Sequence, residues 1–256
     1  MNNQYIKLRN VGLLSIGRWD PLIREKLEQL IIAHGSASAG YNPSQRPVAI
    51  FDWDNTSIKG DIGEAVMEER DHRDRRNRVK EYESICQAQG KAAGYTWGAC
   101  QIAGMTSQQI RELTQDVIKA CLANNRIQLR AEIRELMEVL KTKGWDVWVV
   151  SATAQPIVET FTEYYGILAN HVIGVRLAQN SKGVFLPHLE GPLTYRAGKV
   201  EAIEKYIGAV PTFAAGDADT DVEMLQSAQY ALLIDRGNSI ALEAARAGGW
   251  WIQTGW

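Results

Sequence analysis

The feature that most constrains this chain is a short apolar run that ends abruptly in acids. Pro47-Val48-Ala49-Ile50-Phe51 is followed at once by Asp52-Trp53-Asp54-Asn55-Thr56. An unbroken apolar run of this length, without polar alternation, is expected of a strand buried on both faces. The pattern recurs along the chain. Residues 145–150, 212–215, 230–234 and 250–253 read as further strands, and residues 127–143, 155–166, 196–207, 219–228 and 239–247 carry helical spacing. Strands that alternate with helices predict an α/β fold, a Rossmann-like, mostly parallel sheet covered on both faces. In such sheets chemistry gathers beyond the carboxyl ends of the strands.

Three segments depart from the alternation. Asp20 and Pro21 read as an N-cap and first helical residue, with Leu22, Ile23, Leu27, Leu30 and Ile31 on one face and Gly35 as the stop. Residues 61–125 are helical, polar and punctuated by Gly90, Gly94, Gly98 and Gly104. Residues 172–178 and 184–187 flank Asn180-Ser181-Lys182-Gly183, a hairpin signal. The expected organisation is an N-terminal helical extension (1–46), an α/β core (47–60 and 126–256) and an inserted helical cap domain (61–125).

Composition narrows the class. The 256 residues are 45% hydrophobic and 23% charged, ordinary for a globular chain. A formal net charge of -2 argues against a protein that grips nucleic acid or anionic membrane. No window approaches the roughly 20 apolar residues of a membrane span. The apolar patch at residues 11–16 is too short for a signal-peptide core. The composition suits the cytoplasm, with a periplasmic or secreted protein as the alternative if a leader has been removed. Cys86, Cys100 and Cys121 are too few and too irregularly spaced for a disulfide framework or a zinc site.

The candidate chemistry lies where strand-like runs end. Asp52 and Asp54 follow Ile50-Phe51, Ser151 follows Trp148-Val149-Val150, and Asp217 and Asp221 follow Phe213-Ala214-Ala215. Lys199 lies near a helix start. Brought to one sheet edge, these residues divide the work. Asp52 is a carboxylate nucleophile. Asp54 can hold a proton for a leaving oxygen, because environment drives neighbouring acids to different pKa values. Ser151 and Lys199 offer a hydroxyl and a cation to phosphoryl oxygens. Asp52, Asp217 and Asp221 form a hard oxygen set suited to Mg2+.

Asp52-Trp53-Asp54-Asn55-Thr56, the run into Ser151, Lys199, and Gly216-Asp217-Ala218-Asp219-Thr220-Asp221 resemble the four motifs of the haloacid dehalogenase (HAD) superfamily, in order, across residues 47–253. The resemblance implies an aspartyl-phosphate on Asp52 and a general acid/base at Asp54, whose backbone carbonyl also binds magnesium. It places phosphate-binding roles at Ser151, Ala152, Lys199 and Asn55, and metal carboxylates at Asp217 and Asp221. The implied partner is a small phosphorylated metabolite. The phosphoserine phosphatase and phosphorylcholine phosphatase branches are the nearest resemblance, since both place a helical cap between the first two motifs and an acid soon after the first. Asp61 matches that acid. Two positions depart from phosphoserine phosphatases: Ala152-Thr153 where they have Gly-Gly, and Thr220 where they have Asn. The substrate is expected to be phosphoserine-like or phosphorylcholine-like, with Asp61, Trp97 and Thr220 as candidate contacts.

Other readings fit less well. A calcium loop starting at Asp217 would need Gly and Glu where Val222 and Ala228 stand. Arg196-Ala197-Gly198-Lys199 lacks the glycine spacing of a P-loop. The alternating charges of residues 70–78 read as a solvated helix face or an anion-steering patch. Eight tryptophans, Trp53 and Trp97 among them, raise the idea of an aromatic cage for a quaternary ammonium. A non-catalytic phosphate-binding module and a phosphomutase remain the alternatives to a hydrolase.

Overall fold

A computed structural model describes residues 12–256 of the chain. Val11, the first residue of the N-terminal apolar patch, lies outside the described residues. The described residues form ten strands and ten α-helices. The central sheet comprises β1 (Val48–Phe51), β4 (Asp146–Ala154), β5 (Val172–Val175), β8 (Phe213–Gly216), β9 (Tyr230–Ile234) and β10 (Trp251–Gln253). Its order is β10-β9-β8-β1-β4-β5, and every pairing is parallel. The expected α/β class therefore holds.

Strand alternation explains how both faces are covered. Ala49, Phe51, Val147, Val149, Phe213 and Ala215 point to one face, where they join the buried side chains of α1 (Pro21–His34), α6 (Ala131–Thr142) and α7 (Gln155–Thr162). Val48, Ile50, Val150 and Ala214 point to the other. There they meet α8 (Ala197–Tyr206), α9 (Val222–Ser227) and α10 (Ser239–Gly248). Two faces of apolar packing are why these strands carry no polar alternation.

α1 forms as its sequence suggests. The Asp20 carboxylate accepts from the Leu22 and Ile23 amides, and Ile23, Leu27, Leu30 and Ile31 are buried. Leu22 does not share their face and is exposed. The segment before α1 is tied down too, since the Ser15 and Ile16 amides donate to Glu135 on α6.

Several boundaries differ from the sequence reading. The helix expected at 127–143 begins only at Ala131. Ahead of it β3 (Gln128–Leu129) pairs antiparallel with β2 (Ile58–Lys59), tying together the two ends of the segment that leaves the core. The strand expected at 145–150 continues to Ala154, across an irregularity in its pairing with β5. The stretch 172–178 is divided, because β5 joins the main sheet while β6 (Leu177–Gln179) forms the hairpin with β7 (Phe185–Leu189). Between β2 and β3 stand α2 (Ile62–Asp74), α3 (Arg78–Gln89), α4 (Lys91–Cys100) and α5 (Ser107–Ala123). No helix among the described residues is long and apolar enough to cross a membrane.

Candidate active site

β1 ends at Phe51, and Asp52 continues its line, its amide donating to the Ala215 carbonyl of β8 at 2.9 Å. The chain then makes one wide turn over Trp53–Ser57, closed by the Ile58 amide on the Trp53 carbonyl. Asn55 takes a positive φ of 64° in this turn, a conformation asparagine tolerates better than most residues. Its side chain accepts from the Gly60 amide and its own amide donates to the Gly60 carbonyl. Asn55 thus closes the turn. Ser57 Oγ donates to the Asp52 carbonyl at 2.6 Å, and Arg130 Nη2 to the Asn55 carbonyl at 3.2 Å. Trp53 is fully buried against Phe161 and Tyr165, which makes it a core anchor and removes it from any cage.

The turn sends the two acids to different surroundings. Asp52 Oδ1 accepts from Lys199 Nζ at 2.7 Å, and the same ammonium donates to Asp221 Oδ1 at 2.6 Å and the Val150 carbonyl at 3.1 Å. All three N–H bonds of Lys199 are taken by the protein. Asp217 is held by Thr56 Oγ1 at 2.9 Å and Arg236 Nη1 at 2.9 Å. The second oxygen of Asp221 accepts from the Asp217 and Ala218 amides, so Asp221 shapes its own loop. Asp54 faces elsewhere. Its Oδ1 accepts from the Ile62 amide at 2.7 Å, and its Oδ2 faces the hydroxyls of Thr153 at 2.8 Å and Ser151 at 3.4 Å.

Electrostatics follow from this burial. Burial, followed by the Asp221 charge, pushes the Asp52 carboxyl up to about 8. Burial and Asp221 together push Asp217 up to about 6. Burial and the Asp61 charge hold Asp54 well above the usual carboxylate range. Burial works against the Lys199 ammonium, but Asp221 and Asp52 outweigh it and raise its pKa.

Asp52, Asp217 and Asp221 each bring a carboxylate oxygen within 4.8 Å of the other two. Among the described residues, only Lys199 and Arg236 pair with these three carboxylates. Three buried carboxylates against two cations leave surplus negative charge in a hard oxygen set. That donor set fits a divalent cation such as magnesium.

A cavity of about 250 Å³ opens beside this cluster, between α2, α3, α4 and the end of β4. Ala152 and Thr153 line it on the core side, and Thr153 connects it to Asp54. Asp61, Glu64, Glu83, Arg70, Tyr82 and Tyr95 line it on the helical side. Asp61 also caps α2, accepting from the Glu64 amide at 2.8 Å. Burial raises the pKa of both Asp61 and Glu64. Arg70 Nη1 is buried with no hydrogen-bond partner.

The structure brings together Asp52, Asp54, Ser151, Lys199, Asp217 and Asp221, with Asp61 and Ala152 at the adjoining cavity. Trp97 is half-buried on α4 but does not line this cavity, whose aromatic residues are Tyr82 and Tyr95. Thr220 does not line it either, and its carbonyl accepts from the Arg196 amide. In the charged run 70–78, residues 72–77 are exposed, as a solvated face would be, while Arg78 is buried and paired to Asp71 and Asp74. Sequence reasoning missed Thr56, Thr153, Arg70 and Arg236. Thr56 and Thr153 sit inside or beside quoted motifs, which was their only signal. Arg236 follows the strand β9 and could have been sought by the same strand-end rule.

Fold and site together define a hydrolase class: a doubly wound sheet with a buried carboxylate, Asp52, at the carboxyl end of a central strand. The haloacid dehalogenase-like hydrolase family profile matches residues 49–226, and the chain belongs to that family. No curated protein sequence matches the chain. Among solved structures it is similar to a functionally unknown protein from Anaerococcus prevotii (20% identity, TM-score 0.80, 94% of each chain covered). It is also similar to a phosphoserine phosphohydrolase-like protein from Francisella tularensis (24%, TM-score 0.57, 80% of this chain and 94% of that one). A substrate-bound phosphoserine phosphatase complex aligns at 20% identity and TM-score 0.55, over 78% of this chain and 90% of that one.

Proposed function

We propose that this chain is a magnesium-dependent phosphatase that hydrolyses a small phosphomonoester through an aspartyl-phosphate on Asp52. The observation that carries the reading is the separation of the two neighbouring acids. Asp52 stands among Lys199, Asp217 and Asp221, while Asp54 turns toward the cavity wall. Asp52 and Asp54 thereby take different tasks.

Asp52 attacks phosphorus as the ester P–O bond breaks, and the departing oxygen takes the proton of Asp54. Asp54, now a carboxylate, then takes a proton from water. The resulting hydroxide breaks the Asp52–P bond and releases inorganic phosphate. Asp52, Asp217 and Asp221, with the Asp54 carbonyl, would hold magnesium. When bound, the ion supplies positive charge that keeps Asp52 ionised and offsets repulsion from the phosphate. That positive charge opposes the burial and the Asp221 charge, which raise the Asp52 pKa to about 8. Ser151, Ala152, Asn55 and Lys199 stand as the phosphate-binding set, with Lys199 turning to a phosphoryl oxygen the N–H that Asp52 accepts in the free protein.

The cavity beside Asp54 takes the leaving alcohol. Its acids Asp61 and Glu64 and its tyrosines suit an ammonium group. The unpartnered Arg70 Nη1 suits a carboxylate. Together they favour a phosphoserine-like leaving group over a phosphorylcholine-like one, which brings no anion for Arg70. The helical segment 61–125 then acts as the cap that selects substrate, over a core of 47–60 and 126–256.

Hydrolysis of p-nitrophenyl phosphate, phosphoserine and phosphorylcholine tests the reading, with magnesium and with chelator. Turnover that needs magnesium, with phosphoserine preferred, supports it. Turnover unaffected by chelator would remove the metal, and preference for phosphorylcholine would remove the role given to Arg70. Arg70→Ala is expected to lower kcat/KM for phosphoserine about tenfold or more, as a lost charge-assisted contact would, and to leave phosphorylcholine unchanged.

A further inference from the structure

Asp54 is gripped from two sides, and the grip identifies which oxygen carries its proton. The Ile62 amide donates to Oδ1 at 2.7 Å. An amide N–H only donates, so Oδ1 serves as the carbonyl-like acceptor. The proton that Asp54 delivers therefore belongs on Oδ2.

Two hydroxyls face Oδ2. Ser151 Oγ is 3.4 Å away, beyond the usual range of an O–H···O bond, and already accepts from the Thr153 amide at 3.1 Å. Thr153 Oγ1 is 2.8 Å away, an ordinary hydrogen bond. α2 also passes close to Thr153. A Cβ added at Gly63 would lie 2.8 Å from Thr153 Oγ1, so the absence of a side chain there makes room for the hydroxyl. Thr153 lines the cavity as well. One hydroxyl thus bonds the proton-bearing oxygen and borders the space for the leaving alcohol.

We propose that Thr153 is the positioning residue for the Asp54 proton. Its hydroxyl keeps Oδ2 turned toward the departing oxygen and donates to the carboxylate that forms. This rests on the phosphatase reading above. As the Asp52–P bond forms and the ester P–O bond breaks, the departing oxygen takes the Oδ2 proton. The electron pair of that O–H bond stays on Asp54, where the Thr153 hydroxyl stabilises it.

Leaving groups of different basicity separate this role from a packing role. Nitrophenolate departs with little need of a proton, whereas phenolate needs one. The test is kcat/KM with magnesium on p-nitrophenyl phosphate and phenyl phosphate for wild type, Thr153→Val, Thr153→Ala and Thr153→Ser, with thermal melting of each variant. Both esters present similar rings, and kcat/KM reports the first bond-breaking step.

Thr153→Val is expected to lower kcat/KM on phenyl phosphate by about tenfold or more and on the nitrophenyl ester by less than about threefold. Thr153→Ser is expected to restore phenyl phosphate to within about threefold of wild type. Thr153→Ala gives the same comparison if valine prevents folding. Equal losses on both esters, no loss on either, or a serine variant as poor as the valine one would overturn the proposal. Wild type inactive on both esters overturns the phosphatase reading itself and removes the positioning role with it.

Discussion

At the scale of single residues, the site is governed by charge held out of water. Lys199 is fully buried and bridges two carboxylates. Removing one partner of a buried ion pair leaves the other charges uncompensated, which costs more than the pair contributes. Lys199→Met is therefore expected to destabilise the chelator-treated protein by about 3 kcal/mol or more at pH 7.5, read by urea denaturation. A loss below about 0.5 kcal/mol would show that the carboxylates do not depend on it. The residues legible in the sequence were those whose chemistry is written in their type and place: acids after apolar runs, a serine after another, a lysine at a helix start. Thr153 and Thr56 were not legible as partners of acids, because a threonine at a strand end has no distinguishing chemistry until its neighbour is known. Trp97 was attractive by composition alone, and the cavity closes around tyrosines instead.

At the scale of elements, two joints seat the reacting groups. The turn Trp53–Ser57 separates Asp52 from Asp54, and the approach to α8 delivers Lys199. At that second joint Gly198 packs so closely that a Cβ would fall 1.8 Å from the Leu193 carbonyl. No rotamer change relieves a clash with backbone. Gly198→Ala is expected to destabilise the fold by about 2 kcal/mol or more and to lower turnover by moving Lys199. Gly40→Ala, where a Cβ meets nothing within 4 Å, is the matched control and is expected to stay near wild type. Equal melting temperatures for the two variants would contradict the account of this joint. Most elements could be read from periodicity, since the buried parallel strands are continuous apolar runs. The β2–β3 pairing could not, because two-residue strands carry no period. The extension of β4 to Ala154 was hidden by Ser151-Ala152-Thr153, where the polar Ser151 and Thr153 interrupt the apolar signal.

At the scale of the whole molecule, stability and metal binding are linked through protons. Asp52 and Asp217 hold protons more tightly when folded than when unfolded, since burial raises both pKa values, to about 8 and about 6. Their contribution to stability is complete below the unfolded value of about 4 and is lost as pH rises through 6 and then 8. A cation that binds the ionised carboxylates must displace those protons, so it stabilises more strongly as pH rises. The rise in melting temperature on adding magnesium is expected to be small at pH 5 and several degrees larger at pH 8. A rise that is equal at both values, or larger at pH 5, would contradict a site built from these carboxylates.

Transfer of the phosphoryl group to Asp52 can be trapped. In Asp54→Asn the water-activating carboxylate is gone while p-nitrophenolate still departs unaided. Mixing this variant with p-nitrophenyl phosphate and magnesium, quenching in acid and mapping the peptides by mass spectrometry locates the phosphoryl group. The expected result is a burst of about one nitrophenolate per chain and a phosphoryl group on Asp52. A phosphoryl group on any other residue, or steady turnover without a phosphorylated chain, would contradict it.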